Sequence, residues 1–140
     1  MNVHIRPATE ADAQSLFSLA SALSTSFTVE EQRFLRVFQE LLNSRSALVL
    51  VAEYGQKLLG YALGFTHATF YANGHVGWVE EIFVKEEFRR LNVGRQLMQS
   101  IETWVQERGC ALIALATRRA STFYKSIGYE ESATYFRKLM

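Results

Sequence analysis

The sequence predicts an α/β fold: a central mixed sheet of six to seven strands with helices on both faces. Three observations carry that expectation. The apolar, β-branched runs 47–54 and 57–70 are separated only by Gly55-Gln56, and Asn73-Gly74 introduces a third run, 75–84; such spacing reads as antiparallel hairpins. A helix-periodic stretch over 93–108 then joins run 75–84 to the apolar run 110–117. That is a βαβ unit, and it requires a parallel pair. Two amphipathic segments near the amino end supply further helices for the sheet to bury.

Taken in order, Val3 to Arg6 reads as the first strand, ended by Pro7. Thr9 is placed to cap a helix over 10–22 with Ala13, Leu16, Phe17, Ala20 and Leu23 on one face. Thr28 and Glu31 fit a capping box for a second helix whose stripe is Val29, Phe34, Leu35, Phe38, Leu41 and Leu42. The hairpin strands follow, and Gly60 and Gly64 inside 57–70 hint at a bend or a close backbone approach. The helix over 93–108 turns Val93, Leu97, Met98, Ile101, Trp104 and Val105 inward, and Gly109 stops it. CALIALAT (110–117) reads as a strand buried on both faces, ASTFYKSIG (120–128) as a short helix, and 129–140 as the last one or two strands, TYFRKL the clearer.

A length of 140 residues suits one domain, 1–140, with no linker or repeat. A net charge of +1 gives no general attraction to nucleic acid or an anionic membrane. No apolar run reaches the roughly 20 residues of a membrane span. The first residues show no secretory signal, and the lone Cys110, in an apolar setting, reads as a buried inert thiol. These features favour a cytoplasmic protein. His4, His67 and His75 lack ligand spacing, so no metal is expected.

The informative stretch is FVKEEFRRLNVGRQLM (83–98), where a strand hands over to a helix. A helix start offers unpaired N–H groups and the positive end of the macrodipole, and phosphate binds there readily. Gly94 permits close approach, Asn92 tolerates positive φ, and Arg89, Arg90 and Arg95 bring positive charge. No Gly-Lys-Ser/Thr and no dinucleotide glycine triplet is present. The residues alone leave a phosphate cradle and a plain polar turn in balance.

The stretch resembles motif A of the GNAT superfamily, the acetyl-CoA-dependent N-acetyltransferases: a strand ending in Val, then Arg/Gln-x-x-Gly-x-Gly/Ala and a helix. Val84 closes the strand, and Arg89, Asn92 and Gly94 take the signature positions, with Asn92 where the family usually has glycine. VHIRPATEADAQSL, LVAEYGQKLLGYALG and FYKSIGYEESATYFRKL are similar to the family's opening, hairpin and carboxyl-terminal regions, so the likeness spans the chain. It implies that acetyl-CoA is held by Ile82, Phe83 and Val84 along its pantetheine arm. Arg89, Arg90, Leu91, Asn92, Val93, Gly94 and Arg95 would take the diphosphate. Thr117 stands where the family often has a cofactor-contacting asparagine.

The implied reaction is direct attack by a primary amine through a tetrahedral intermediate. An alkyl ammonium of pKa ~10.4 needs about 4.6 kcal/mol to lose its proton at pH 7. A carboxylate relays that proton well, and Glu80 and Glu81 stand mid-strand in WVEEIFV. Strand alternation sends neighbours to opposite faces, so both line a cleft only if a bulge intervenes. The local string resembles that of diamine (spermidine/spermine-type) acetyltransferases, which implies Glu80 as base and Glu81 as holder of the amine. An N–H near Ile82 would stabilise the oxyanion, and Tyr124 would protonate the leaving thiolate; the plainer reading of Tyr124 is a core aromatic. Phe27, Glu30, Glu31, Phe70, Tyr71, His75 and Trp78 could build an acceptor pocket, although Phe27 and Trp78 as core and the glutamates as a solvated face is the favoured account. The acceptor expected is a small polyamine-like or amino-acid-like molecule. A peptide, protein or aminoglycoside acceptor, or a non-catalytic acyl-CoA-binding module, stands as the alternative. The family also leads to the expectation of a homodimer, with neither nucleic acid nor membrane as partner.

Overall fold

Alternating β-branched runs pair into a sheet wherever a tight turn lets them, and the hairpins form as their turns dictate. In the structure, a computed structural model that describes residues 2–140, β1 (His4–Pro7), β2 (Ala47–Tyr54), β3 (Lys57–Thr69) and β4 (Gly74–Val84) are successive antiparallel neighbours. Gly55 sits at φ +63° in the β2–β3 turn and Asn73 at φ +58° before β4, conformations that glycine and asparagine tolerate. β5 (Ile113–Leu115) adds to β4 in parallel across α3 (Val93–Glu107), as the βαβ reading requires.

The helices divide between the two faces. α1 (Ala13–Leu23) and α2 (Glu31–Leu42) cover one, packing Leu16, Leu19 and Phe38 on Val49, Val51, Tyr61 and Leu63. α3 covers the other, packing Val93, Leu97, Met98, Ile101 and Val105 on Leu50, Ala52, Leu59 and Val79. The short α4 (Ser121–Ser126) joins this second cluster through Tyr124. Each fully buried Leu, Ile or Met contributes roughly 1.5–3 kcal/mol of apolar transfer, so α3 is the best-anchored helix. Gly77 lets it approach β4: a Cβ there would lie 2.5 Å from Val105 Cγ2.

Five strands are assigned among the described residues, fewer than the six to seven expected. Residues 129–140 form no strand, because they find no ladder partner; residues 130–140 are all exposed. Contacts along the segment tie it down: Tyr129 donates to Glu102, Lys125 pairs with Glu131 at 2.9 Å, Tyr135 stacks on Trp78 at 6.5 Å and Arg137 donates to Ser26 Oγ at 3.1 Å. β5 is three residues long rather than eight and half-buried rather than buried, since it is the sheet's last strand and pairs only with β4. Cys110 is likewise only half-buried, against the α3 cluster.

The amino-terminal helices also depart from expectation. Residues Glu10–Asp12 form a 3-10 turn before α1, with the Asp12 carboxylate accepting the Thr9 N–H at 2.8 Å. Arg6 closes this corner by two 2.8 Å hydrogen bonds to Asp12 and one of 3.2 Å to Glu53 Oε2. Thr28 caps nothing: α2 begins at Glu31 with Glu30 as its N-cap, and Ser24 Oγ instead closes the preceding loop on the Phe27 carbonyl at 2.6 Å. Leu35 faces outward, one position off the stripe that buries Phe38.

Candidate active site

The site begins with a defect in strand pairing. β3 and β4 run in register from Gly60↔Val84 to Leu63↔Glu81, then shift so that Gly64 faces Val79. Glu80 is the extra residue of this bulge, which relieves the strict alternation that would separate the two glutamates. Glu81 lies diagonal to Tyr61, on the α1–α2 face, and accepts a 2.6 Å hydrogen bond from the Tyr61 hydroxyl. Glu80 is exposed beside it and has no protein partner among the described residues.

Beyond the bulge, β4 has a free edge. Its pairing with β5 covers only Gly77, Trp78 and Val79. The Lys85 N–H donates to Leu59 at 2.9 Å, so alternation spends the N–H groups of Glu81 and Phe83 on β3. Those of Ile82 and Val84 point to the open side. Of the three residues expected along the pantetheine arm, Ile82 and Val84 therefore offer free backbone, and Phe83 offers none. The Val84 carbonyl is taken by Arg89 Nε at 2.9 Å, and the Arg89 guanidinium lies 5.6 Å over the Phe83 ring. Arg89 thus braces the strand end through its Nε.

The turn itself has the geometry of a cradle. Asn92 is left-handed at φ 64°, as its chemistry allowed, and Arg90 is left-handed too, at φ 72°, which the sequence reading did not anticipate. The first intrahelical bond of α3 runs from Gln96 N–H to Asn92 at 3.0 Å. The N–H groups of Val93, Gly94 and Arg95 come before it and have no partner among the described residues. Val93 buries its side chain in the core, so only its backbone faces the turn, while Arg90, Leu91 and Arg95 are exposed. A Cβ on Gly94 would meet Phe123 Cζ at 3.6 Å and Val84 Cγ2 at 4.0 Å, ordinary contacts. The protein's own packing does not demand glycine there; a close-approaching anion would. These residues fit the diphosphate and pantetheine of coenzyme A.

Tyr124 is buried in the α3 cluster, edge-on to Phe123 and Tyr129 at 5.0 and 5.8 Å. Burial raises its pKa, so the hydroxyl stays protonated at neutral pH. No protein group accepts from it among the described residues, whereas the Tyr129 hydroxyl is spent on Glu102 at 2.5 Å. Thr117 accepts the Ala120 N–H at 3.0 Å and so shapes the entry to α4. On the acceptor side the favoured core account fails for Phe27, which is 69% exposed, and Phe70 and Tyr71 are also exposed. Trp78 is half-buried, Glu30 pairs with Arg33 at 3.5 Å, and Glu31 and His75 are exposed. A cavity of about 390 Å³ opens in the α1–α2 loop, lined mainly by hydroxyls including Ser24, Ser26 and Thr28. Among the described residues no cluster of metal-ligating side chains occurs, and no helix is long and apolar enough to cross a membrane.

Comparison with known proteins agrees with this geometry. Residues 14–129 match the acetyltransferase (GNAT) family. The chain is similar to an aminoglycoside N(6')-acetyltransferase type 1 from Stenotrophomonas maltophilia, 27% identical over 144 residues and covering 95% of this chain and 91% of the other. It is also similar to a thialysine N-epsilon-acetyltransferase from Bos taurus, 28% identical over 82 residues, which cover 55% of this chain and 47% of that one. Its fold is that of AAC(6')-Iy, solved in complex with the bisubstrate analogue CoA-S-monomethyl-acetylneamine, with a TM-score of 0.81, 21% identity and 100% of each chain covered. The chain belongs to the acetyltransferase (GNAT) family and is an acetyl-CoA-dependent N-acetyltransferase.

Proposed function

We propose that residues 1–140 act as one catalytic domain that acetylates a primary amine of a small polycationic molecule, with aminoglycosides the first class to consider and polyamines the second. The observation that supports the reading is the β4 bulge, which leaves Glu80 unpaired in the ladder next to Glu81. The aminoglycoside class is supported by the relatives of that name, which match nearly end to end. The polyamine class is supported by the diamine-like string around Glu80 and by the shorter match to the thialysine enzyme.

Bound along β4 and the start of α3, acetyl-CoA supplies an activated acetyl group. The amides of Val93, Gly94 and Arg95 grip its diphosphate, Arg90 and Arg95 add charge, and the Ile82 carbonyl and Val84 N–H hydrogen-bond the pantetheine arm. Glu80, exposed and unpaired, takes the ammonium proton through water, a deprotonation that costs about 4.6 kcal/mol at pH 7. The Ile82 N–H donates to the acyl oxygen as negative charge develops on it. Tyr124 donates its hydroxyl proton to the departing sulfur. Leu91 and Thr117 border this path without a polar duty of their own toward it.

A homodimer in the cytoplasm belongs to the same proposal, supported by the exposed Tyr135, Phe136 and Leu139 and by the free outer edge of β5; sedimentation tests it. The function is tested by amine-dependent release of coenzyme A from acetyl-CoA. The panel is an aminoglycoside bearing a 6'-amine, one lacking it, spermidine, lysine and a peptide. Turnover with the 6'-amine compound above the others supports the reading. Turnover with the peptide alone overturns it.

A further inference from the structure

Tyr61 lies in the hairpin string LVAEYGQKLLGYALG, outside the strand end and turn that supply the candidate catalytic and cofactor residues. The residue is 4% exposed and packs with Val51, Leu58 and Leu63 beneath α1 and α2. Phenylalanine would fill that volume without the burden of a buried hydroxyl, which needs a partner. The partner is the Glu81 carboxylate at 2.6 Å, reached diagonally across the β3–β4 ladder at the bulge. Burial, with the carboxylate adding to it, pushes the Tyr61 pKa far above the ordinary tyrosine range. The hydroxyl is therefore a permanent donor, fixed in direction by a ring the core immobilises. Glu81 makes no other hydrogen bond or ion pair among the described residues, so its Oε2 is left to a ligand.

We propose that Tyr61 is a positioning residue that holds Glu81 at the bulge, so that the second carboxylate oxygen binds an ammonium group of the acceptor. This rests on the reading of the acceptor as polycationic, and it divides the labour of the pair. Glu80 handles the proton of the attacking amine, and Glu81 anchors a cation. A carboxylate already held in one orientation loses less freedom on binding than a mobile one.

The test uses Tyr61→Phe, Glu81→Gln and the double variant, in steady state with a polycationic acceptor and with a monoamine of similar size. Tyr61→Phe should raise the KM of the polycationic acceptor about tenfold, with kcat and the acetyl-CoA KM little changed and the monoamine barely affected. Glu81→Gln should shift the same parameter, and the double variant should be no worse than Glu81→Gln alone, because Tyr61 acts only through Glu81. An unchanged acceptor KM in Tyr61→Phe, or losses that multiply in the double variant, overturns the inference. If the unaltered enzyme acetylates no polycationic amine, the reading of its acceptor falls. A crystal structure of Tyr61→Phe then decides the positioning separately: a reoriented Glu81 carboxylate supports it, and an unmoved one overturns it.

Discussion

Replacing Gly94 with alanine should make the protein more stable and a poorer ligand for coenzyme A. Gly94 is the second residue of α3, at a φ outside the left-handed region, and its missing Cβ would touch only Phe123 and Val84 at ordinary distances. Glycine in a helix interior costs about 0.8–1 kcal/mol relative to alanine, and about half of that applies in a first turn. The expected gain of about 0.5 kcal/mol raises the melting temperature by about 1–2 °C. On the ligand side, the methyl group stands where the diphosphate approaches the free amides. Losing one charge-assisted hydrogen bond costs about 1.5–3 kcal/mol, which is about a 10- to 150-fold rise in Kd. Thermal melting without ligand and isothermal titration with coenzyme A read the two effects independently. An unchanged Kd would refute the cradle; a fall in melting temperature would refute the account of the space around Gly94.

Tyr124→Phe keeps the ring and its contacts, so stability and coenzyme A affinity should hold while kcat falls by about 100-fold or more; equal loss of binding and turnover would mark Tyr124 as packing alone. Gly77→Ala drives a Cβ to 2.5 Å from the stiff Val105 and should cost about 1–3 kcal/mol in denaturant unfolding, and adding Val105→Ala should recover part of it. The Asp12 carboxyl is held below its ordinary range, chiefly by the Arg6 hydrogen bonds. A lowered folded-state pKa means the unfolded chain binds the proton more readily, so this stabilisation is full above about pH 4 and drains away as pH falls further. Asp12→Asn should cost about 2 kcal/mol at pH 7 and flatten the acid limb of the stability curve.

Much of this site was legible because local chemistry forced it. Asn92 stands where a strand-to-helix turn needs a left-handed residue, and it adopts one. Gly60 marks a close approach, since a Cβ there would fall 2.4 Å from the Phe83 carbonyl. The bulge on which a shared role for Glu80 and Glu81 depended is present, but the sequence left open whether it would form. What escaped sequence reading depends on partners. TYFRKL has strand chemistry, but a strand needs a ladder, and it pairs with none of the five strands. CALIALAT is apolar along its length; Ala111 and Leu112 also hydrogen-bond β4, at His75 and Gly77, yet only Ile113–Leu115 pair with it as a strand. Thr28 has the right side chain for a cap, but the loop from Ser24 carries the chain past it before α2 begins. Tyr61 looks like any strand aromatic, and only the β3–β4 register shows that it reaches Glu81 across twenty positions of sequence.

The central claim is that the open edge of β4 and the free amides of α3 hold coenzyme A by its diphosphate. Isothermal titration of the protein with coenzyme A and, in parallel, with pantetheine, which keeps the arm but lacks the diphosphate and the adenosine 3'-phosphate beyond it, tests it most directly. The account predicts saturable one-to-one binding of coenzyme A and at least a hundredfold weaker binding of pantetheine, since at least two charge-assisted hydrogen bonds are lost. Equal affinity for the two, or no binding of coenzyme A, would contradict it.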